Sequence, residues 1–197
     1  MPAKRIVILG ASFAGVSTAH RILKQAGKNG ATVNVTLVSP NSHFYWNIAV
    51  PRALIPGQIP DEKIFQSIAD GFKQYAAGQF EFIVASAKSL DVENKKVELE
   101  VLGGAGSETL DYDFLVLATG THTKEETPFK TITSTEATKE RLHSLQAEVK
   151  KAKTIVLAGA GPTGVEIAGE LSFEYGQGKK IILVSLPPLR LLSLSLI

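Results

Sequence analysis

Ile6-Val-Ile-Leu-Gly10-Ala-Ser12-Phe-Ala-Gly15 stands near the start of the chain. A second stretch of the same form, Ile155-Val-Leu-Ala-Gly159-Ala-Gly161-Pro-Thr-Gly164-Val-Glu166, stands near its other end. Each is a short apolar run that stops at a glycine and continues into a helix-forming sequence, the strand–turn–helix context in which a glycine triplet carries meaning. The first backbone N–H groups of a helix have no partner within it and point outward, so an anion can sit on them. In such a turn the first glycine permits the tight bend, the second lets the backbone approach a pyrophosphate, and the third lets helix and strand pack closely. The later stretch has all three, at Gly159, Gly161 and Gly164; the earlier one has Ser12 in the middle place, which weakens the pattern without removing it.

Working outward, residues 5–9 read as a buried strand, followed by a helix from Phe13 to Ala26 with Gly27 as its stop and a second strand over 33–38. This is one βαβ unit, with parallel strands and a right-handed crossover. Ser39 to Pro60 reads as a long irregular segment containing Phe44-Tyr45-Trp46, and long ordered loops are often functional. A helix over Asp61–Tyr75 is expected next, then a strand over 80–86. Two further runs follow, 87–92 and 96–102, joined by the turn Glu93-Asn94-Lys95, with another turn at 103–106. A buried strand over 112–120, a helix over Ser134–Ala152 capped by Ser134 or Thr135, and a second βαβ unit (154–158, 162–174, 180–184) complete the pattern. The expected class is α/β: a Rossmann-like, three-layer fold with a small β-meander, its second Rossmann unit incomplete.

With 197 residues the chain is long enough for one or two domains, and its formal net charge of +2, with scattered Lys and Arg, gives no argument for a nucleic-acid partner. It has no cysteine, which excludes a disulfide framework, a thiolate metal site and a redox-active dithiol. The four histidines show no ligand spacing, so no metal site is expected. The N-terminus runs directly into a strand, without the features of a secretory signal. No run reaches the roughly 18 apolar residues of a membrane span, and a cytoplasmic location is the default expectation.

Gly10-Ala-Ser12-Phe-Ala-Gly15, then Ala118-Thr119-Gly120 at a strand end, then Gly159-Ala-Gly161-Pro-Thr-Gly164-Val-Glu166-Ile-Ala-Gly169-Glu170-Leu occur in that order. In this the chain resembles the flavoproteins with two dinucleotide-binding domains. Within them it is most similar to apoptosis-inducing-factor-like oxidoreductases without cysteines, and it is also similar to type II NADH dehydrogenases. The loop Asn41-Ser-His-Phe-Tyr-Trp-Asn-Ile-Ala-Val-Pro51-Arg52 adds to the likeness, which spans residues 4 to 184. The resemblance implies FAD in the N-terminal domain, NADH or NADPH in a second domain inserted in it, and hydride transfer from nicotinamide to flavin. Electrons would then pass to a quinone or another small-molecule acceptor. The chemistry belongs to the cofactors, and the protein supplies placement and electrostatics.

On this resemblance Gly10, Ser12, Ala14 and Gly15 lie under the FAD pyrophosphate. Ser39 takes the place where an acidic residue commonly meets a ribose hydroxyl. Val84 falls where the backbone meets adenine, although a buried core valine reads equally well. Ala118, Thr119 and Gly120 form the turn near the cofactor, and Arg52 comes near the flavin. Gly159, Gly161, Thr163 and Gly164 hold the nicotinamide dinucleotide. Glu166 faces the contact between the two cofactors and is expected to approach Arg52; a carboxylate early in a helix is also favourable through the helix dipole alone. Arg52 and Glu166 are the candidates for a catalytic role. Ser185 ends the second unit's last strand without the charge that would bar a 2′-phosphate, so NADH and NADPH both remain open, and Arg190 is a candidate partner for such a phosphate.

The expected domains are 1–125 for the N-terminal part of the FAD domain, 126–184 for the start of the inserted NAD(P) domain, and 185–197 for an atypical tail of Leu, Ser and Pro. Proteins of the resembled group continue further and return to finish the FAD site with a Gly-Asp segment. A truncated chain that binds FAD weakly or not at all is therefore expected, with a non-catalytic nucleotide-binding fragment or interaction module as the alternative function. A dehydrogenase with a single nicotinamide site explains neither the second glycine turn nor the Ala-Thr-Gly strand end. The resembled group includes members on membrane surfaces, but no anchor is read here. Oligomeric state and acceptor are open.

Overall fold

The computed structural model describes residues 2–102, 106–123 and 127–185. The expected turn at 103–106, in part, and the leucine-rich tail from 186 with Arg190 lie outside the described residues.

The first βαβ unit forms as its pattern predicts. Strand β1 (Lys4–Leu9), helix α1 (Phe13–Asn29) and strand β2 (Val33–Ser39) follow one another. The strands run parallel in a register from Lys4 opposite Val33 to Leu9 opposite Val38. Helix α1 does not stop at Gly27. It runs on to Gly30, whose N–H bonds the Ala26 carbonyl. A glycine inside a helix costs only about 1 kcal/mol, too little to end a helix anchored by buried Gly15, Ala19 and Leu23.

The expected helix over 61–75 is broken. After β3 (His43–Tyr45), the one-turn α2 (Val50–Ala53) and the short α3 (Asp61–Ile64), the chain extends as β4 (Phe65–Ser67) before α4 (Ile68–Gly71). Strand β4 pairs antiparallel with β3, and the Tyr45 and Phe65 rings stack 4.8 Å apart. That buried aromatic pair outweighs local helix propensity. Ser67 then restarts the helix by accepting a hydrogen bond from the Asp70 N–H.

Strand β5 (Phe80–Asp91) is one continuous strand where two were expected. Its first half pairs parallel with β2; its second half leaves β2 and pairs antiparallel with β6 (Lys96–Val101), with an irregularity between Ala87 and Ser89. Such a bulge bends a strand and lets it change partners. The turn that follows is fastened by the Asp91 carboxylate, which accepts from the Asn94 N–H at 2.9 Å and from its Nδ2 at 2.7 Å. Strand β7 (Ser107–Asp111) completes the meander, and β8 (Phe114–Leu117) returns to lie parallel to β1. The resulting mixed sheet has six strands in the order β7-β6-β5-β2-β1-β8.

Alternation along β1 fills two layers. Ile8 packs with Ala19, Leu23, Leu37 and Phe72 on the α1 face. Val7 and Leu9 pack with Val38, Ala85, Val97, Leu99 and Tyr112 on the meander face. Helix, sheet and meander are the three layers of a Rossmann-like α/β fold.

Helix α5 (Thr135–Lys151) starts on Ser134, whose hydroxyl accepts from the Ala137 N–H at 3.1 Å. Strand β9 (Thr154–Ala158), helix α6 (Pro162–Tyr175) and strand β10 (Lys180–Val184) then form the second βαβ unit, its strands parallel and in register from Thr154 opposite Lys180.

The chain divides into two compact units, one of residues 1–48 and 60–142, the other of residues 49–59 and those from 143 onward. Residues 127–142 group with the first unit. Hydrogen bonds tie residues 128–135 to its loops: Tyr45 Oη donates to the Pro128 carbonyl at 2.5 Å, Asn47 Nδ2 to the Phe129 carbonyl at 2.8 Å, and the His43 N–H and Ser42 Oγ each to Thr135 Oγ1 at 3.3 Å. Among the described residues no helix is long and apolar enough to cross a membrane, and no group of His, Asp and Glu is placed to hold a metal ion.

Candidate nucleotide sites

In the first unit the C-terminal ends of β1, β2 and β8 meet. Strand β1 has β2 on one side and β8 on the other, so the chain changes direction across the sheet at this point. In open α/β sheets a crevice opens at such a switch point, outside the strand ends. The Gly10 N–H donates to the Val38 carbonyl and the Ala118 N–H to the Leu9 carbonyl, both at 2.8 Å, which fixes the three strand ends together. Gly10 has φ +104°, and a Cβ there would strike the Ala118 carbonyl. A Cβ on Gly15 would strike the carbonyl of Gly10, so the first turn of α1 lies directly on the end of β1. Ser12 is the N-cap residue in extended conformation, and its side chain makes no cap bond. Its hydroxyl and the first N–H groups of α1 are left for an anion.

A cleft of about 90 Å³ lies here, lined among others by Gly10, Ser12, Ser39, Asn41, His43 and Thr119. Of the residues expected from sequence, Gly10, Ser12, Ser39, Ala118 and Thr119 share it. Ala14 is exposed on the first turn of α1, Gly15 is buried beneath that turn, and Gly120 is exposed just past the strand end. Val84 sits opposite Ser39 in the sheet, with its carbonyl accepting from the Leu102 N–H at 3.2 Å. The neighbouring cleft of about 240 Å³ is lined instead by Gly10, Val38, Ala85, Ser86 and Thr119, among others.

The cleft also contains groups that sequence patterns missed. Asn41 is 6% exposed. Its N–H donates to Ser39 Oγ at 3.1 Å, while its Oδ1 is buried with no hydrogen-bond partner. Tyr45 lines the cleft with its phenol spent on Pro128. Burial foremost, and the charge of Asp61 second, push that phenol far above its ordinary pKa, so it stays a donor. The available signal was the Ser39-Pro40-Asn41 turn after β2, but burial of Asn41 arises only when the loops close over it.

The second unit repeats the construction. The Gly159 N–H donates to the Val184 carbonyl at 2.8 Å, as Gly10 does to Val38. A Cβ on Gly164 would strike the Gly159 carbonyl, as one on Gly15 would strike Gly10. Helix α6 begins on Gly161 with Pro162 in its first turn, and the Val165 N–H donates to the Gly161 carbonyl at 3.0 Å, matching Val16 and Ser12 at 3.0 Å. Thr163 and Glu166 are exposed on that first turn.

Arg52 does not take Glu166 as its ion-pair partner. It belongs to this second unit and pairs with Glu170, one helical turn further on, with Nη2 2.8 Å from Oε2 and Nε 3.2 Å from Oε1. Gln58 donates to Glu174 at 2.9 Å and Gln146 to the Ala53 carbonyl at 2.7 Å. Residues 49–59 are thereby fastened to the face of α6 that carries Glu170 and Glu174, and this decides the pairing.

The profile of the pyridine nucleotide-disulphide oxidoreductase family matches residues 4–189. The oxidoreductase ptaL of Pestalotiopsis fici is 56% identical over 183 residues, 92% of this chain and 49% of that protein. The water-forming NADH oxidase of Lactobacillus brevis, solved with NADH, superposes with a TM-score of 0.68 at 20% identity, covering 93% of this chain and 40% of that one. The sulfide:quinone oxidoreductase of Aquifex aeolicus gives 0.66 at 23% identity, covering 91% and 42%. The chain spans about half the length of the curated relatives it matches.

Proposed function

The chain belongs to the pyridine nucleotide-disulphide oxidoreductase family, and from that premise we propose that its protein is an FAD-dependent NAD(P)H oxidoreductase. The carrying observation is the same glycine-built strand–turn–helix in each unit, with matching hydrogen bonds and matching close approaches. Two dinucleotide cradles suit a protein that passes electrons from one nucleotide to another.

The residues of the first unit fit FAD. Gly10, where a Cβ would strike the Ala118 carbonyl, and Ser12, whose hydroxyl makes no cap bond, line one cleft at the start of α1. Gly10, Ser12, Ala14 and Gly15 would hold the pyrophosphate, with Ser39, Val84, Ala118, Thr119 and Gly120 around the adenosine and the strand end. Gly159, Gly161, Thr163 and Gly164 would hold NADH or NADPH, with Glu166 next to them on α6. Arg52, through Glu170, would fix the position of α6 and so of Glu166. FAD, when bound, supplies two-electron chemistry at its ring. The protein's part is to hold both dinucleotides by backbone N–H groups. A small-molecule acceptor takes the electrons; with a quinone, the overall reaction consumes NAD(P)H, a proton and quinone and yields NAD(P)⁺ and hydroquinone. Likeness in fold to a sulfide:quinone oxidoreductase supports the quinone. Without a cysteine in the chain, no dithiol relays electrons within it.

A second reading, a nucleotide-binding module without catalysis, is favoured by one feature. The sheet described in the second unit has two strands, with Val156 and Val184 about half exposed or more. A three-layer α/β unit covers more sheet than that. Purified protein supplied with FAD should oxidise NADH or NADPH with a quinone or dye acceptor. Binding of both nucleotides with no turnover would decide for the module.

A further inference from the structure

Strand β3 has a cleft on each side. By the alternation of a strand, His43 and Tyr45 line the nucleotide cleft, while Phe44 between them lines a second cleft, against α1, β4 and α4. No residue lines both. We propose that this second cleft is a binding site for a small, uncharged, planar aromatic molecule, separate from the nucleotide. The proposal stands on the second cleft alone and does not need the first to hold FAD.

Size, charge and wall chemistry select that ligand. The cleft holds about 220 Å³, and an apolar cavity of about 150 Å³ is enough to take up benzene. No Asp, Glu, Lys or Arg is among its lining residues. His20, which is, has its pKa held below 6.5 by burial and then by Lys24, so it carries no charge at pH 7. An ion entering here would give up its hydration without meeting a counter-charge. Three of the walls are rings. His20 lies parallel on Phe72 at 4.0 Å and Phe72 on Phe80 at 3.9 Å, while Phe44 is braced edge-on by Phe13 at 4.9 Å. These rings are fixed before a ligand arrives, so a flat aromatic guest gains ring contacts without the cost of ordering them. Val16, one turn before His20 on α1, and Ile68 on α4 add aliphatic wall. Gly71 completes it, and a Cβ placed there meets nothing within 4 Å. Bulk can therefore be added at Gly71 without displacing a neighbour.

The test is titration of the full chain with 2-naphthol, followed by NMR of the ligand, with the melting temperature of every variant. The wild type should bind 2-naphthol with a Kd below about 1 mM. The carboxylate 2-naphthoate should bind at least about tenfold more weakly, and the saturated alcohol decahydro-2-naphthol about three- to tenfold more weakly. Gly71→Leu and Val16→Phe fill the cleft from opposite walls, and each should abolish binding while its melting temperature holds or rises. FAD at saturation should leave the bound naphthol in place. Wild-type affinity in either variant overturns the proposal, as does a loss that comes with a lower melting temperature in both. Displacement by FAD overturns it too, since the probe would then occupy the nucleotide cleft. Equal affinity for naphthol and naphthoate, or no binding by the wild type, shows that the cleft is not a site for this class of ligand.

Discussion

At the scale of single residues, two glycines on α1 and the turn before it, Gly10 and Gly27, have opposite meanings. Gly10 sits at φ +104° with its would-be Cβ against the Ala118 carbonyl. Neither side can yield, since Gly10 is bonded to Val38 and Ala118 to Leu9. Gly10→Ala should cost at least about 1–3 kcal/mol. Gly27 is helical, and nothing lies within 4 Å of a Cβ placed on it. Gly27→Ala should therefore stabilise by about 0.4–1 kcal/mol, chiefly by reducing the freedom of the unfolded chain. Urea unfolding followed by circular dichroism measures both, and a Gly10→Ala protein as stable as wild type would refute the cradle geometry. The triplets announced this part of the site, because close backbone approach leaves its mark as glycine. Asn41 left no such mark. An asparagine after a proline reads as an ordinary turn residue, and only tertiary burial turns its Oδ1 into an orphan.

At the scale of elements, both βαβ units were legible because their information is local: apolar runs of strand length, a glycine turn, then a helix. The segment 61–75 was not, because its structure is decided by residues some twenty positions earlier. Strand β4 exists to pair with β3, and no local period reports that Phe65 will stack on Tyr45. The same segment brings an aromatic stack to α1. The His20 ring lies parallel to Phe72 at 4.0 Å, Phe72 lies on Phe80 at 3.9 Å, and His20 Nδ1 is 3.0 Å from the Tyr75 hydroxyl. Burial, and after it the charge of Lys24, hold the His20 pKa below its ordinary 6.5. The unfolded chain then binds more protons than the folded one just below pH 6.5, so stability rises with pH there. The stack's contribution should be present above about pH 6.5 and be lost as pH falls through the lower folded value. Urea midpoints of wild type and His20→Phe between pH 8 and pH 5 test this. The wild type should lose more stability on acidification than the variant, and parallel pH profiles would exclude His20 as the cause.

At the scale of the whole molecule, the order of two glycine turns around a meander was enough to place the chain in its family, while the two compact units are set by contacts distant in sequence. Residues 49–59 join the second unit through Arg52, Gln58 and Ala53, contacts whose partners are about 90 or more residues away in sequence. No spacing rule encodes them. An Arg–Glu pair as exposed as Arg52–Glu170 is worth at most about 1 kcal/mol, so it serves more to set position than to hold the fold. The described chain also leaves apolar surface at a sheet edge. Strand β8 pairs with β1 alone among the described strands, and its Phe114 and Leu117 are 59% and 65% exposed. An open edge with apolar side chains is a template for another strand. The 197-residue chain should therefore self-associate as its concentration rises, and Phe114→Lys, which places a charge on that edge at the end of β8 remote from Ala118, should suppress it. Light scattering coupled to gel filtration reads the mass directly. A mass that does not change with concentration in the wild type, or association that persists unaltered in Phe114→Lys, would show that this edge is not where chains meet.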